Sequence, residues 1–234
     1  MPITDGMPPQ RFPIVNWLII AANFIVWLFY ELPHFDSSVL HSSFYACSVT
    51  GSCHAALPWY VSWFTAMFMH ASWSHLLGNM WFLAIFGKNV EDAFGHLRFL
   101  AMYVAGGFAA AATQAAMTLG FGTAVDGIVP MLGASGAIAA VLGAYWVLYP
   151  NARILALVPI PVRVPAWVFL GLWFVYQFIS GGAGLFSEHS SASGTAFFAH
   201  VGGFVFGVIA ARVLVSRGQR QDRPQQWVTQ ASPI

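Results

Sequence analysis

The stretch GIVPMLGASGAIAAVLGAYWVLYP, from Gly127 to Pro150, decides how the rest of this sequence is interpreted. Most of it is an apolar run long enough to cross a bilayer as a helix, for which about 20 residues are needed. Near its start, Ser135 stands between Gly133 and Gly136, where a spanning helix normally carries large apolar side chains. The stretch therefore predicts a membrane helix with a hydroxyl group held between small residues near one end.

The composition extends this prediction to the whole chain. Of the 234 residues, 58% are apolar and 7% are charged, and the mean hydropathy is +0.68, whereas about a quarter of a soluble domain is charged. Six apolar segments are long enough to be spans: residues 13–30, 73–87, 99–119, 131–149, 165–179 and 194–215. The expected fold is an all-α polytopic membrane protein with six transmembrane helices in one domain, residues 13–216. It has terminal tails at 1–12 and 217–234, and the second tail, rich in proline and glutamine, is expected to be disordered.

The basic residues predict the orientation of these spans. The loops at 31–60, 120–130 and 181–193 contain no lysine or arginine. All nine basic residues lie elsewhere: Arg11, Lys88, Arg98, Arg153, Arg163, Arg212, Arg217, Arg220 and Arg223. Under the positive-inside rule, both termini are cytoplasmic and the three loops without basic residues face outward. The net charge of +1 argues against a nucleic-acid partner. The apolar composition makes the lipid bilayer the expected surroundings.

Both cysteines, Cys47 and Cys53, lie in the first outward loop, in the sequence ACSVTGSC. In an oxidising compartment they can form a disulfide, because the Gly-Ser turn between them permits close approach. Two free thiols are the alternative. The sequence leaves both possibilities open.

Polar side chains inside predicted spans are costly and often mark functional sites. His75 and Asn79 are four residues apart, and therefore lie on one face of the second span. Ser135 and His200 lie near the outward ends of the fourth and sixth spans. Because these three alternate spans run in the same direction, the four side chains are expected at similar depth, in the outward half of the membrane.

Small residues predict that the fourth and sixth spans cross closely: Gly136, Ala140, Gly143, Gly203 and Gly207. A close crossing would bring the Ser135 hydroxyl within hydrogen-bonding distance of the His200 ring, which is the nucleophile and base pair of covalent hydrolysis. His75, Asn79 and the backbone amide of Ser135 would then donate hydrogen bonds to the oxyanion of a tetrahedral intermediate.

Several alternatives bear on this site. Seven of the eight acidic residues lie in tails or loops and Glu91 lies at the inner end of the second span, so a serine hydrolase would use a Ser–His dyad. No cysteine or carboxylate lies at the depth of His75 and His200, so neither a metal nor a cofactor is expected. A single polar residue in a bundle more often serves packing than catalysis. A small transporter is also considered, but the sequence shows no internal repeat.

Three motifs, in this order, resemble those of the rhomboid intramembrane serine proteases: HLLGN at His75–Asn79, GASG at Gly133–Gly136 and AHVGG at Ala199–Gly203. The segment GKNVEDAFG at Gly87–Gly95, with Glu91 at its centre, resembles a further family motif. The resemblance covers about residues 59–215. It implies a rhomboid-like bundle of six helices.

The resemblance also implies roles for individual residues. Ser135 would be the nucleophile and His200 the general base, and His75, Asn79 and the Ser135 amide would line the oxyanion hole. Structural roles are implied for Gly133, Gly136, Gly203 and Gly207. Substrates of the family are single transmembrane helices cut near their outer end, with the fifth span as a lateral gate.

Two departures from the family pattern stand out. Many relatives carry a Trp-Arg pair in the first outward loop, where this chain has Val61 and Ser62. Some relatives also place an aromatic residue one turn after the serine, where this chain has Ala139. The expected location is a bacterial inner membrane. The sequence predicts no oligomeric state. An inactive relative that recognises transmembrane helices is the alternative function, although such proteins have usually lost the serine or histidine.

Overall fold

The structure is a computed structural model that describes residues 1–158, 160–185 and 196–214. The predicted tail at 217–234 and residues 186–193 of the predicted third outward loop lie outside the described residues. The elements in chain order are β1 (Pro2–Thr4), α1 (Ile14–Val26), α2 (Phe35–Ser42), α3 (Ala46–Thr50), α4 (Trp59–Ala66), α5 (Trp73–Phe82), α6 (Lys88–Phe94), α7 (His96–Phe121), α8 (Ala124–Gly127), α9 (Ser135–Leu148), β2 (Arg153–Val158), β3 (Ile160–Pro165), α10 (Ala166–Leu185) and α11 (Phe197–Leu214).

Helix α9 is the centre of the bundle, and almost all of its residues are buried. Its glycines and alanines leave room for the backbone of α11, which packs against it. A Cβ atom on Gly203 would overlap the carbonyl oxygen of Gly136, and one on Gly207 would overlap that of Ala140. The two helices therefore touch through backbone atoms, which is the close crossing that small residues permit in membranes.

Within the described residues, three helical stretches are long and apolar enough to cross a membrane: Ile14–Ser42, His96–Phe121 and Phe197–Leu214. The first of them joins α1 to α2 through a π-helical turn and a 3-10 turn. The apolar helices Ser135–Leu148 and Ala166–Gly182 are shorter. In the second predicted span, α5 passes through a π-helical segment into α6. The protein is thus mostly helical, as predicted, while the count of six crossings and the orientation of the termini stay predictions.

Helices are not the whole fold, because β1, β2 and β3 form an antiparallel sheet in that order at the end of the bundle where α9 stops. The sequence patterns do not predict this sheet. Because β1 belongs to the sheet, residues 1–12 are not a free tail but pack against the bundle. The carboxylate of Asp5 is buried, pairs with Lys88 at 3.2 Å and accepts a hydrogen bond from the Tyr145 hydroxyl at 3.0 Å.

Glu91 fixes the start of α1 from a distance in sequence. Its two carboxylate oxygens accept hydrogen bonds from the backbone amides of Val15 at 2.9 Å and Asn16 at 2.7 Å. No side chain of α1 itself caps this end, so Glu91 satisfies amides that a helix start leaves unpaired. The flanking Gly95 has a φ of 77°, which glycine adopts without strain.

The segment between α2 and α5 is held without the Trp-Arg pair of many relatives. Cys47 and Cys53 form a disulfide with a Cα–Cα distance of 5.5 Å. The buried Glu31 accepts a hydrogen bond from the backbone amide of His70 at 2.7 Å. Burial lowers the pKa of His70 to about 3, so its ring is neutral at physiological pH.

Candidate active site

Ser135 is the first residue of α9. This corrects the prediction of a span over 131–149 with the serine one turn inside it, because residues 131–134 are not helical. Gly133, with a φ of 123°, makes the turn into the helix, and its amide donates to the carbonyl of Ala66 at 2.8 Å. The amide of a residue at this position has no carbonyl of its own helix to bind. The serine therefore presents both a hydroxyl and a backbone donor.

His200 faces Ser135 from α11, where it is the fourth residue of the helix. Its Nε2 atom lies 2.8 Å from the Ser135 Oγ atom. This contact spans 65 positions in sequence and depends on the backbone crossing at Gly136 and Gly203, one residue beyond the serine and three beyond the histidine. The arrangement is that of a hydroxyl nucleophile beside a general base.

Two residues of α10 hold the His200 ring, and the sequence motifs predict neither of them. Ala139 is buried but too small to cover the ring. Instead the Trp173 ring lies beside it, with centroids 5.7 Å apart and planes tilted by 36°. The Gln177 Oε1 atom lies 2.9 Å from His200 Nδ1. A signal was present in the sequence, since Gln177 interrupts the otherwise apolar run PAWVFLGLWFVYQFI.

His75 and Asn79 lie one turn apart on the same face of α5. The hydroxyl of Ser72 caps this helix by accepting from the His75 amide at 3.2 Å. A Cβ atom on Gly133 would lie 2.9 Å from His75 Nε2 and 3.6 Å from Ser135 Oγ, which places the imidazole against the serine loop. The Asn79 Nδ2 group is buried and has no hydrogen-bond partner within the part of the chain that the structure describes.

An unpaired buried amide normally costs free energy, on the order of 1–3 kcal/mol. A buried donor without a partner can hydrogen-bond to a negatively charged oxygen that forms within its reach. The His75 ring lies against the loop that carries Ser135, and Asn79 follows His75 one turn further along α5. The geometry is chemically suited to acyl transfer.

Comparison with known proteins agrees with this arrangement. A family profile of the rhomboid domain matches residues 58–217. Presenilin-associated rhomboid-like protein A, mitochondrial, from Danio rerio is 32% identical over 144 residues, which cover 62% of this chain and 34% of that protein. Rhomboid-like protein 11, chloroplastic, from Arabidopsis thaliana is 34% identical over 95 residues, covering 39% of this chain and 29% of the relative.

A third relative, the presenilin-associated rhomboid-like protein, mitochondrial, of Mus musculus, is 28% identical over 197 residues, or 81% of this chain and 46% of its own length. The chain thus spans about a third to a half of the length of these relatives. Their names place them in mitochondria and chloroplasts, which gives no support to the expected bacterial membrane. The profile match confirms the family prediction: the chain belongs to the rhomboid family of integral membrane proteins.

Proposed function

We propose that this protein is an intramembrane serine endopeptidase that cuts transmembrane helices of other proteins with Ser135 and His200. The observation that carries the proposal is the distance of 2.8 Å between Ser135 Oγ and His200 Nε2. Membership of a family whose members are generally serine proteases of the membrane supports it.

The reaction follows from the positions of the groups. His200 Nε2 takes the proton of the Ser135 hydroxyl as Oγ attacks a peptide carbonyl carbon. The oxyanion that forms accepts hydrogen bonds from the Ser135 amide, Asn79 and His75. The protonated ring then gives its proton to the leaving amine, and water, activated by the same ring, hydrolyses the acyl-enzyme.

The substrate must unwind before it is cut, because the peptide bonds of a helix are shielded by their own hydrogen bonds in a membrane. The proposed substrates are single-pass proteins with small residues at the cleavage point, as the resemblance to the family implies. A weak helix beside that point would ease the unwinding. We also propose six membrane crossings with both termini in the cytoplasm, on the basis of the distribution of basic residues. A phosphatase reporter fused after Leu214 is expected to remain inactive, as it does on the cytoplasmic side.

The activity test uses the purified protein in liposomes with a fluorogenic transmembrane reporter. Ser135→Ala and His200→Ala are expected to abolish cleavage, and a fluorophosphonate probe is expected to label only chains that retain Ser135. The matched controls are Ser37→Ala and His54→Ala, which change exposed residues outside the site. Cleavage that survives both site variants would refute the dyad. Binding of the reporter without cleavage by the unaltered protein would instead favour a non-catalytic relative.

A further inference from the structure

The second ring nitrogen of His200 has a partner of its own. If Nε2 accepts the proton of the Ser135 hydroxyl, a neutral imidazole carries its hydrogen on Nδ1. Gln177 Oε1 lies 2.9 Å from Nδ1 and is an acceptor at the right place. The Ser135 hydroxyl can therefore donate to Nε2 while Nδ1–H donates to Gln177, and both hydrogen bonds form in one tautomer and one orientation of the ring.

The burial of Gln177 indicates that this contact is built into the fold. Its side chain is 6% exposed, whereas its neighbours on α10 point away from the bundle: Tyr176 is 61% exposed and Phe178 57%. A buried amide must find hydrogen-bond partners to offset the cost of leaving water. Trp173, one helical turn before Gln177, lies on the same face and contacts the same ring. Helix α10 thus supplies both a hydrogen-bond acceptor and an aromatic surface to His200.

No carboxylate of the described residues forms a hydrogen bond or ion pair with His200. A neutral amide oxygen orients an imidazole in the same way that the aspartate of a catalytic triad does. It does so without placing a second charged group in an apolar environment, where an ionised carboxylate is costly. The ring also keeps its Nδ1 hydrogen bond to Gln177 after Nε2 takes the serine proton.

We propose that Gln177 is the positioning residue of the dyad, which holds His200 in the Nδ1-protonated tautomer with Nε2 turned toward Ser135. The proposal rests on the proposed protease function for its kinetic consequences. The tautomer itself is a property of the resting protein and is measurable without substrate.

The spectroscopic test uses protein labelled with ¹⁵N-histidine in detergent micelles, with the His200 signals assigned by their loss in His200→Ala. The expected result is a protonated Nδ1 and an unprotonated Nε2 in the unaltered protein. Gln177→Leu is expected to give a mixture of tautomers. The matched control is Gln114→Leu, because the Gln114 side-chain oxygen accepts a hydrogen bond from the backbone N–H of Ala199 and does not bind the ring. This variant is expected to keep the single tautomer.

The kinetic test uses the reporter assay. Gln177→Leu is expected to lower kcat about 10- to 100-fold with little change in KM, as loss of one hydrogen bond to a charged transition-state group predicts. Gln177→Met keeps the length and approximate volume of the side chain but has no amide oxygen to accept from Nδ1, and it is expected to lower kcat as much as Gln177→Leu does. A merely structural role would instead predict that Gln177→Met recovers most of the activity.

The outcomes separate the two proposals. Absence of cleavage, or cleavage that does not need Ser135, contradicts the proposed protease and leaves the tautomer measurement standing. A hydrogen on Nε2 in the unaltered protein overturns the role of Gln177, even if Gln177→Leu fails to fold. The role of Gln177 is also overturned if cleavage depends on Ser135 but Gln177→Leu keeps both its kcat and the single tautomer. It is overturned as well if Gln114→Leu gives the same mixture of tautomers as Gln177→Leu.

Discussion

The crossing of α9 and α11 at Gly203 offers a sharp test of how the fold controls the site. In Gly203→Ala, the new Cβ would lie more than 1 Å inside the contact distance of about 3.5 Å from the carbonyl oxygen of Gly136. That oxygen belongs to a helix backbone and has no rotamer with which to move aside. The helices must therefore separate by about 1 Å beside the pair of Ser135 and His200.

A displacement of about 1 Å between reacting groups costs on the order of 100-fold in rate. Overpacking of a close contact also lowers the free energy of unfolding by about 1–3 kcal/mol. Gly203→Ala is thus expected to lower kcat about 100-fold and to reduce the melting temperature. Both are measured in the same detergent, with the reporter assay and with thermal unfolding followed by tryptophan fluorescence.

The matched control is Gly120→Ala on α7, where an added Cβ meets nothing within 4 Å. This variant is expected to retain full activity and to be as stable or slightly more stable, because alanine favours helix over glycine by about 1 kcal/mol. Unchanged activity and melting temperature in Gly203→Ala would refute the reasoning, since the two helices could then cross without backbone contact.

Three further predictions concern stability. Glu91→Gln is expected to lower the free energy of unfolding by about 2 kcal/mol, because it weakens charge-assisted hydrogen bonds to the start of α1. Asp36→Asn on α2 is the control in the same thermal assay, and equal effects would contradict this role. Reduction of the disulfide between Cys47 and Cys53 is expected to lower the free energy of unfolding by about 2 kcal/mol for a ring of this size, and to leave cleavage intact. If thiol titration shows two free thiols and the melting temperature has not changed, this expectation is contradicted. Because burial lowers the pKa of His70 from 6.5 to about 3, the unfolded state binds more protons between these values. The free energy of unfolding should therefore fall as the pH is lowered below 6.5, by at most about 1.4 kcal/mol per pH unit from this group. In His70→Gln the melting temperature should depend less on pH, and an unchanged pH dependence would argue against this role.

The sequence predicted that Ser135 and His200 lie close together although they belong to separate apolar segments, and the structure brings them to 2.8 Å, but it did not predict the local geometry. Ser135 was expected inside a span, yet it begins α9, because Gly133 turns the chain at a backbone angle that apolar periodicity does not reveal. No sequence motif indicates Trp173 or Gln177. A glutamine in an apolar run belongs to no recognised pattern, and its partner His200 is 23 positions away. The sheet was missed because its two longer strands lie in a short apolar connection between predicted spans.

The sequence by itself determined the class of protein, the approximate apolar segments and the family motifs around Ser135, His200, His75 and Asn79. These follow from composition and local pattern, which need no knowledge of what packs against what. Only the tertiary structure decided how the His200 ring is held and what the N-terminal residues do. Those contacts join Gln177 to His200 and Asp5 to Tyr145, and hydrogen bonds between distant residues form only after the helices have packed through their small residues.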